Sequence, residues 1–190
     1  MESLSIRFSD FSAGRNRRKK SGAVVLEVLL ALPVILIALL AVIEFGLLWS
    51  NMQGVEMAAR SGTQVATRYP LLPNAGAVPA DVVNAVADEL ARIGVTDYRI
   101  QLTHNVAYTP NPSIGPVVTL DSTVGTGLTS VPSQPAVSLV PNRMYVRVTV
   151  YVNTVGGTTP TGLTPNLLKV FGVDLANRVS QASEVRRYAY

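Results

Sequence analysis

The stretch KKSGAVVLEVLLALPVILIALL runs from Lys19 to Leu40, and its reading decides the fold. Positive charge meets a long apolar run, the pattern of a membrane anchor. One residue interrupts it. Glu27 lies five residues after Gly22, inside the apolar segment. A carboxylate there costs roughly 2.5–3.5 kcal/mol on insertion scales, so its presence calls for a reason.

Outward from this stretch, the apolar segment extends from Ala23 to Trp49, with Glu27 and Glu44 as its only charges. About 20 apolar residues at 1.5 Å each cross a bilayer. A cleaved secretory signal has an apolar core of only about 7–15 residues and a small-residue cleavage site, and the segment fits neither feature. Trp49 stands where an aromatic interfacial anchor belongs. Arg15, Arg17, Arg18, Lys19 and Lys20 precede the segment, whereas the first basic residue after it is Arg60. The positive-inside bias therefore places the N-terminus in the cytoplasm and the remainder across a bacterial inner membrane, in the periplasm or outside. Pro33 removes one backbone donor within the run, which membrane helices tolerate as a kink.

The net charge of +4 suggests an anionic partner at first sight. Its distribution argues otherwise. Six basic and two acidic side chains among residues 1–22 account for all of it, so the rest of the chain is neutral. A nucleic-acid partner is not expected, because a folded basic surface is missing. Cysteine is absent, which excludes disulfides and thiolate metal sites. No oxygen-rich calcium loop or phosphate-cradling glycine pattern occurs, so neither metal nor cofactor is expected. The single histidine, His104, lies on the apolar face of a predicted strand, a place for packing rather than catalysis. The chain reads as a non-enzyme; an anchored envelope hydrolase is the remote alternative.

Beyond Trp49 the helix pattern continues. Met52, Val55, Ala59, Gly62 and Ala66 recur at spacings of three and four, one helical face. Gln53, Glu56, Arg60 and Gln64 occupy the opposite side. Tyr69-Pro70 ends the pattern, because a residue before proline avoids helical geometry. One helix is thus expected from about Ala23 to Arg68, roughly 65–70 Å long at 1.5 Å per residue. A Pro-rich linker follows, then a second helix over Pro79 to Ile93 with Val83, Val86, Leu90 and Ile93 as its stripe and Gly94 as its stop. Alternation predicts strands over Tyr98–Tyr108 and Met144–Val155, and an edge strand over Arg178–Tyr188. Residues 109–141 read as a long loop with a short strand near Val117–Leu120. A short helix is expected over Pro165–Phe171, capped by Thr164 and stopped by Gly172. The fold class is α+β: a long N-terminal transmembrane helix running into a small domain with a short antiparallel sheet. The expected divisions are a leader (1–22), a transmembrane helix (23–49), an extension and linker (50–78) and an extracytoplasmic domain (79–190).

The order basic block, Gly22, Ala23 and apolar helix with Glu27 resembles the processing site of type IV pilins and pseudopilins. That resemblance implies cutting between Gly22 and Ala23 by a membrane prepilin peptidase, and a role for Glu27 in assembly. A free amine on Ala23 would meet Glu27 of a neighbouring subunit, an attraction strengthened by low dielectric. Over Lys19 to Arg68 the chain is more specifically similar to TadE-like proteins of the tight-adherence pilus system. The matching features are Gly22, Glu27, Pro33, Glu44-Phe45-Gly46 and Ala58-Ala59-Arg60-Ser61-Gly62. The resemblance implies a pilin-like minor pseudopilin or pilus-assembly protein. Its partners would be the membrane, prepilin peptidase, other pilin or pseudopilin subunits and the assembly platform. Glu27, Pro33, Glu44, Gly46, Met52, Val55, Ala59 and Gly62 are then the candidate assembly and helix-packing residues. An uncleaved, membrane-anchored accessory protein of the same apparatus is the second reading.

Overall fold

The computed structural model describes residues 16–69, 76–106, 117–125, 128, 130–135, 144–155, 162–176 and 178–188. Helix α1 spans Asn16–Ala66 and contains Pro33. It therefore begins before Gly22, earlier than the apolar pattern suggests. Its end matches the expected proline boundary. The last turn tightens, with Arg68 N–H donating to Val65 O at 3.0 Å and Tyr69 N–H to Ala66 O at 3.1 Å. By internal packing the chain divides into Met1–Leu40 and Ala41–Tyr190.

Within the second unit, helix α2 (Ala80–Arg92) and strands β1 (Tyr98–Val106), β2 (Val118–Val124), β3 (Tyr145–Asn153) and β4 (Val179–Arg187) complete the architecture. The four strands form one antiparallel sheet in the order β2-β1-β3-β4. This is the expected α+β fold. The alternation in sequence translates into two faces. Ile100, Leu102, Val146, Val148, Val150 and Val152 are buried toward α2 and the C-terminal part of α1. Burying each such side chain contributes about 1.5–3 kcal/mol. Val82, Val86 and Leu90 are the buried residues of α2, with Val83 and Ile93 half-buried beside them.

The other sheet face is more enclosed than simple alternation implies. Thr149 and Tyr151 are fully buried there. Tyr151 Oη donates to Gln101 Oε1 at 2.9 Å, and Gln101 Nε2 donates to Asp121 at 3.1 Å. Arg99 binds Asp121 through its Nε, 2.8 Å from Oδ1, and also through its Nη2. Residues 130–135 cross this face. Thr103 Oγ1 donates to Gln134 Oε1 at 3.0 Å, and Arg147 Nη1 donates to Pro135 O at 2.9 Å. A polar face can be buried when its groups find partners in this way.

Three expectations change. The short strand near Val117–Leu120 is a full member of the sheet through Val124, because β1 offers it a partner over seven consecutive positions. The expected Pro165–Phe171 helix shrinks to a 3-10 helix, Leu168–Phe171. Thr164 does not cap it; Thr164 bridges to Val155, and its hydroxyl donates to Thr154 O at 3.2 Å. Pro165 follows this bridge immediately. The linker residues 70–75, strand-end residues Ala107 and Tyr108, and most of 109–141 lie outside the described residues.

Gly62 sets the approach of α1 to its partners. A Cβ there would fall 2.6 Å from Val86 Cγ2 and 3.3 Å from Val148 Cγ1. Val86 and Val148 are fully buried and stiff, so neither yields easily. At Gly54 a Cβ would meet the half-buried Ile93, 2.8 Å from its Cγ2. Ile93 has solvent into which to turn. We expect Gly62→Leu to destabilise the domain by at least the ~1–3 kcal/mol typical of overpacking. Gly54→Ala should stay within about 1 kcal/mol of the parent, because helix propensity offsets the shift of Ile93. Thermal unfolding in detergent micelles, followed by near-ultraviolet circular dichroism, checks the contrast.

Candidate functional site along helix α1

The candidate residues lie in order along one helix. Arg17, Arg18, Lys19 and Lys20 are helical in backbone. Gly22 and Ala23 are also inside α1, so the candidate scissile bond is helical. From Gly22 through Leu39 the helix is exposed, including Glu27 and Pro33. Among the described residues no hydrogen bond or ion pair reaches Glu27. Among them, too, this is the one helix long and apolar enough to cross a membrane.

Burial begins at the next turn. Ala41, Glu44, Leu48, Met52, Val55, Ala59, Gly62 and Ala66 recur three or four apart and are buried or half-buried. This stripe is the one read from sequence, extended about three turns toward the N-terminus. Met52 packs against the core cluster; Val55 and Ala59 are members of it. Trp49, at 74% exposure, lies off the stripe, and Gly46 faces open space. Polar side chains reinforce the docking. Asn51 Nδ2 donates to Leu163 O. Thr63 Oγ1 donates to Ala59 O at 2.6 Å and lies 3.4 Å from Glu184 O.

Glu44 is the chemically unusual member. It is fully buried. Its Oε2 accepts the Leu168 N–H at 2.9 Å. Its Oε1 has no hydrogen-bond partner among the described residues. Leu168 opens the 3-10 helix, where backbone N–H groups lack internal partners. The carboxyl thus ties a distant turn of the chain to α1. Sequence alone nominated Glu44 for packing but not Leu168, 124 residues away.

His104 is buried, with its Nδ1 in hydrogen-bond contact with Tyr188 Oη and the two rings edge to face, centroids 5.2 Å apart. Burial pushes its pKa below the ordinary 6.5. Asp121 sits below its ordinary carboxyl value. Burial pushes it up, but the hydrogen bonds from Arg99 and Gln101 outweigh that. Among the described residues no three His, Cys, Asp or Glu side chains gather as a metal site would require. These contacts tie neighbouring elements together: Asp121 of β2 to Arg99 and Gln101 of β1, and His104 of β1 to Tyr188 beyond β4.

Residues 22–64 match the family described as TadE-like protein. The matched segment holds the Gly22–Glu27 spacing, Pro33, Glu44 and the whole small-residue stripe through Gly62. It covers 43 of 190 residues, so the sheet lies outside it. No curated protein and no solved structure matches the chain. The TadE-like segment therefore contains both the lipid-length run and the surface on which the sheet domain packs.

Two outcomes follow. Glu44→Leu leaves the Leu168 N–H buried and unpaired, costing about 1–3 kcal/mol; Glu44→Gln keeps an acceptor and should cost less. Amide hydrogen exchange at Leu168 should accelerate in the first variant only. For His104, the folded state resists a proton that the unfolded chain accepts. Its stabilising contribution is complete above about pH 6.5 and declines as pH falls from there through the lowered folded value. The midpoint of thermal unfolding should drop across that window in the parent, and the drop should be smaller in His104→Gln.

Proposed function

We propose that the chain is a minor pseudopilin, a pilus-assembly protein of a tight-adherence type IV pilus or secretion system. The observation that carries the reading is the TadE-like match over residues 22–64, which begins at Gly22 and includes Glu27, five residues on. In this reading residues 1–22 are a cytoplasmic leader and 23–49 cross the inner membrane. Residues 50–78 extend the helix and link it to an extracytoplasmic domain, 79–190. Prepilin peptidase cuts after Gly22, and the new Ala23 amine pairs with Glu27 of a neighbouring subunit. Two opposite charges at close range in lipid offset much of the cost each bears alone. Other pilin subunits and the assembly platform are the partners of the exposed helix.

One observation favours the second reading, an uncleaved accessory protein of the same apparatus. Helix α1 starts at Asn16 and passes through Gly22–Ala23 without a break. Cleavage then requires local unwinding, which the low helix propensity of glycine eases but does not remove.

Mass spectrometry of the N-terminal peptide separates the two. Cleaved protein begins at Ala23, and Gly22→Phe retains the leader. Glu27→Gln should still be cleaved while piliation fails, because shape is kept and the charge opposite the amine is lost. Protein beginning at Met1 in cells with active prepilin peptidase refutes the pseudopilin reading.

A further inference from the structure

The apolar run of α1 ends at a defined level. Within the 23–49 span, Ala23 to Ile43 is 21 residues, roughly 30 Å of helix, which matches the hydrocarbon thickness of a bilayer, and residues 44–49 fall in its headgroup layer. Glu44 is the next residue. Whatever is tied to Glu44 is therefore held where the hydrocarbon ends. What is tied there is the Leu168–Val173 turn, through the Leu168 N–H.

This turn has an unusual surface for an aqueous loop. Leu168 points inward at 4% exposure, whereas Val170 is 86%, Phe171 40% and Val173 48% exposed. The turn is held in shape. Gly172 adopts φ +86°, a conformation that side chains rarely take, and closes the 3-10 helix. Gly172 N–H donates to Lys169 O at 3.0 Å and Val173 N–H to Leu168 O at 3.2 Å. Its carboxylate is satisfied locally. Asp174 Oδ1 accepts from Asn166 Nδ2 at 2.7 Å and from Ala176 N–H at 2.8 Å, and Oδ2 lies 3.8 Å from Lys169 Nζ. Apolar residues at the tip with a lysine beside them are the composition of a membrane-interface contact. On α1 itself, Phe45 (54%) and Trp49 (74%) are exposed within the next turn and a half beyond Glu44, as interfacial aromatics are.

We propose that Val170, Phe171 and Val173 form a second membrane contact. They dip into the outer leaflet beside α1, at a depth set by the Glu44–Leu168 hydrogen bond. The inference rests on the membrane reading of α1. The occupant of the patch is lipid: a phospholipid surface with acyl chains under the tip and headgroups at Lys169. The domain is thereby held at the bilayer at two points, and its rotation about the helix axis is restricted.

The test uses the full chain in phospholipid vesicles and tryptophan as a depth probe. Trp49 is the chain's single tryptophan and is exposed, so Trp49→Phe gives a silent background. Into it go, one at a time, Val170→Trp, Leu36→Trp as the reference for the span and Thr123→Trp on exposed β2 as the reference for water. Val170→Trp should emit at shorter wavelength than Thr123→Trp. It should lose intensity to lipid brominated high on the acyl chain, and be protected from aqueous iodide. Quenching of Leu36→Trp but not Val170→Trp overturns the proposal and leaves the span standing. Quenching of neither removes the span as well. A Val170→Trp emission that shifts red when protein is diluted into excess lipid identifies a second copy as the occupant and overturns the lipid assignment. Adding Glu44→Leu should reduce the bromine quenching at position 170; unchanged quenching overturns the tether.

Discussion

A single helix has to present an apolar surface on all sides over one half and a narrow docking stripe over the other. The 3.6-residue period fixes which side chains can serve each purpose. The change occurs within one turn. From Gly22 up to Leu39 α1 is exposed; from Ala41 onward, at least one position in each turn is buried or half-buried. Everything in the second unit is built around that stripe. Because its residues at 58, 59, 62, 63 and 66 are Ala, Ala, Gly, Thr and Ala, the sheet and α2 approach the helix backbone closely. Large side chains come from the opposite surfaces, chiefly Val82, Val86 and Val148.

The sheet follows from this approach. β1 and β3 lie at its centre and supply the valines, isoleucine and leucine that meet the helices. β2 and β4 are the edges. β4 carries Glu184, Arg186 and Arg187, and charges along an edge discourage pairing with foreign strands. The face away from the helices closes with hydrogen bonds and the bidentate Arg99–Asp121 pair instead of apolar packing. Such a face contributes specificity of register, since a one-residue slip would strand these polar groups against the helices.

The fold was legible where periodicity is local. The end of α1, helix α2 and the alternating runs of β1 and β3 all follow from side chains within a few residues of one another. Legibility failed where the deciding partner is remote. Nothing near Val124 signals that β1 will pair with it through Tyr98. Nothing in the order of residues around Tyr151 indicates that its hydroxyl will be buried against Gln101. Thr164 carries the usual helix-capping chemistry, yet a bridge to Val155 takes it first. For the candidate site, the stripe from Met52 to Gly62 was readable by spacing. Glu44 falls on the same spacing, and extending the pattern backward by two turns would have shown it to be a buried position. Its partner could not be read, because the hydrogen bond closes a loop of 124 residues.

That separation has a consequence for biosynthesis. The anchor is made first, and Glu44 leaves the ribosome long before Leu168 exists. At about 5–20 residues per second, the gap lasts roughly 6–25 s. β1 waits in the same way for β3, and Thr63 for the strand that carries Glu184. Until the last quarter of the chain is available, the small-residue stripe has no permanent cover. The nascent protein thus passes through a stage in which a membrane-length helix is complete and its docking surface is bare, a state suited to recognition by chaperones and proteases.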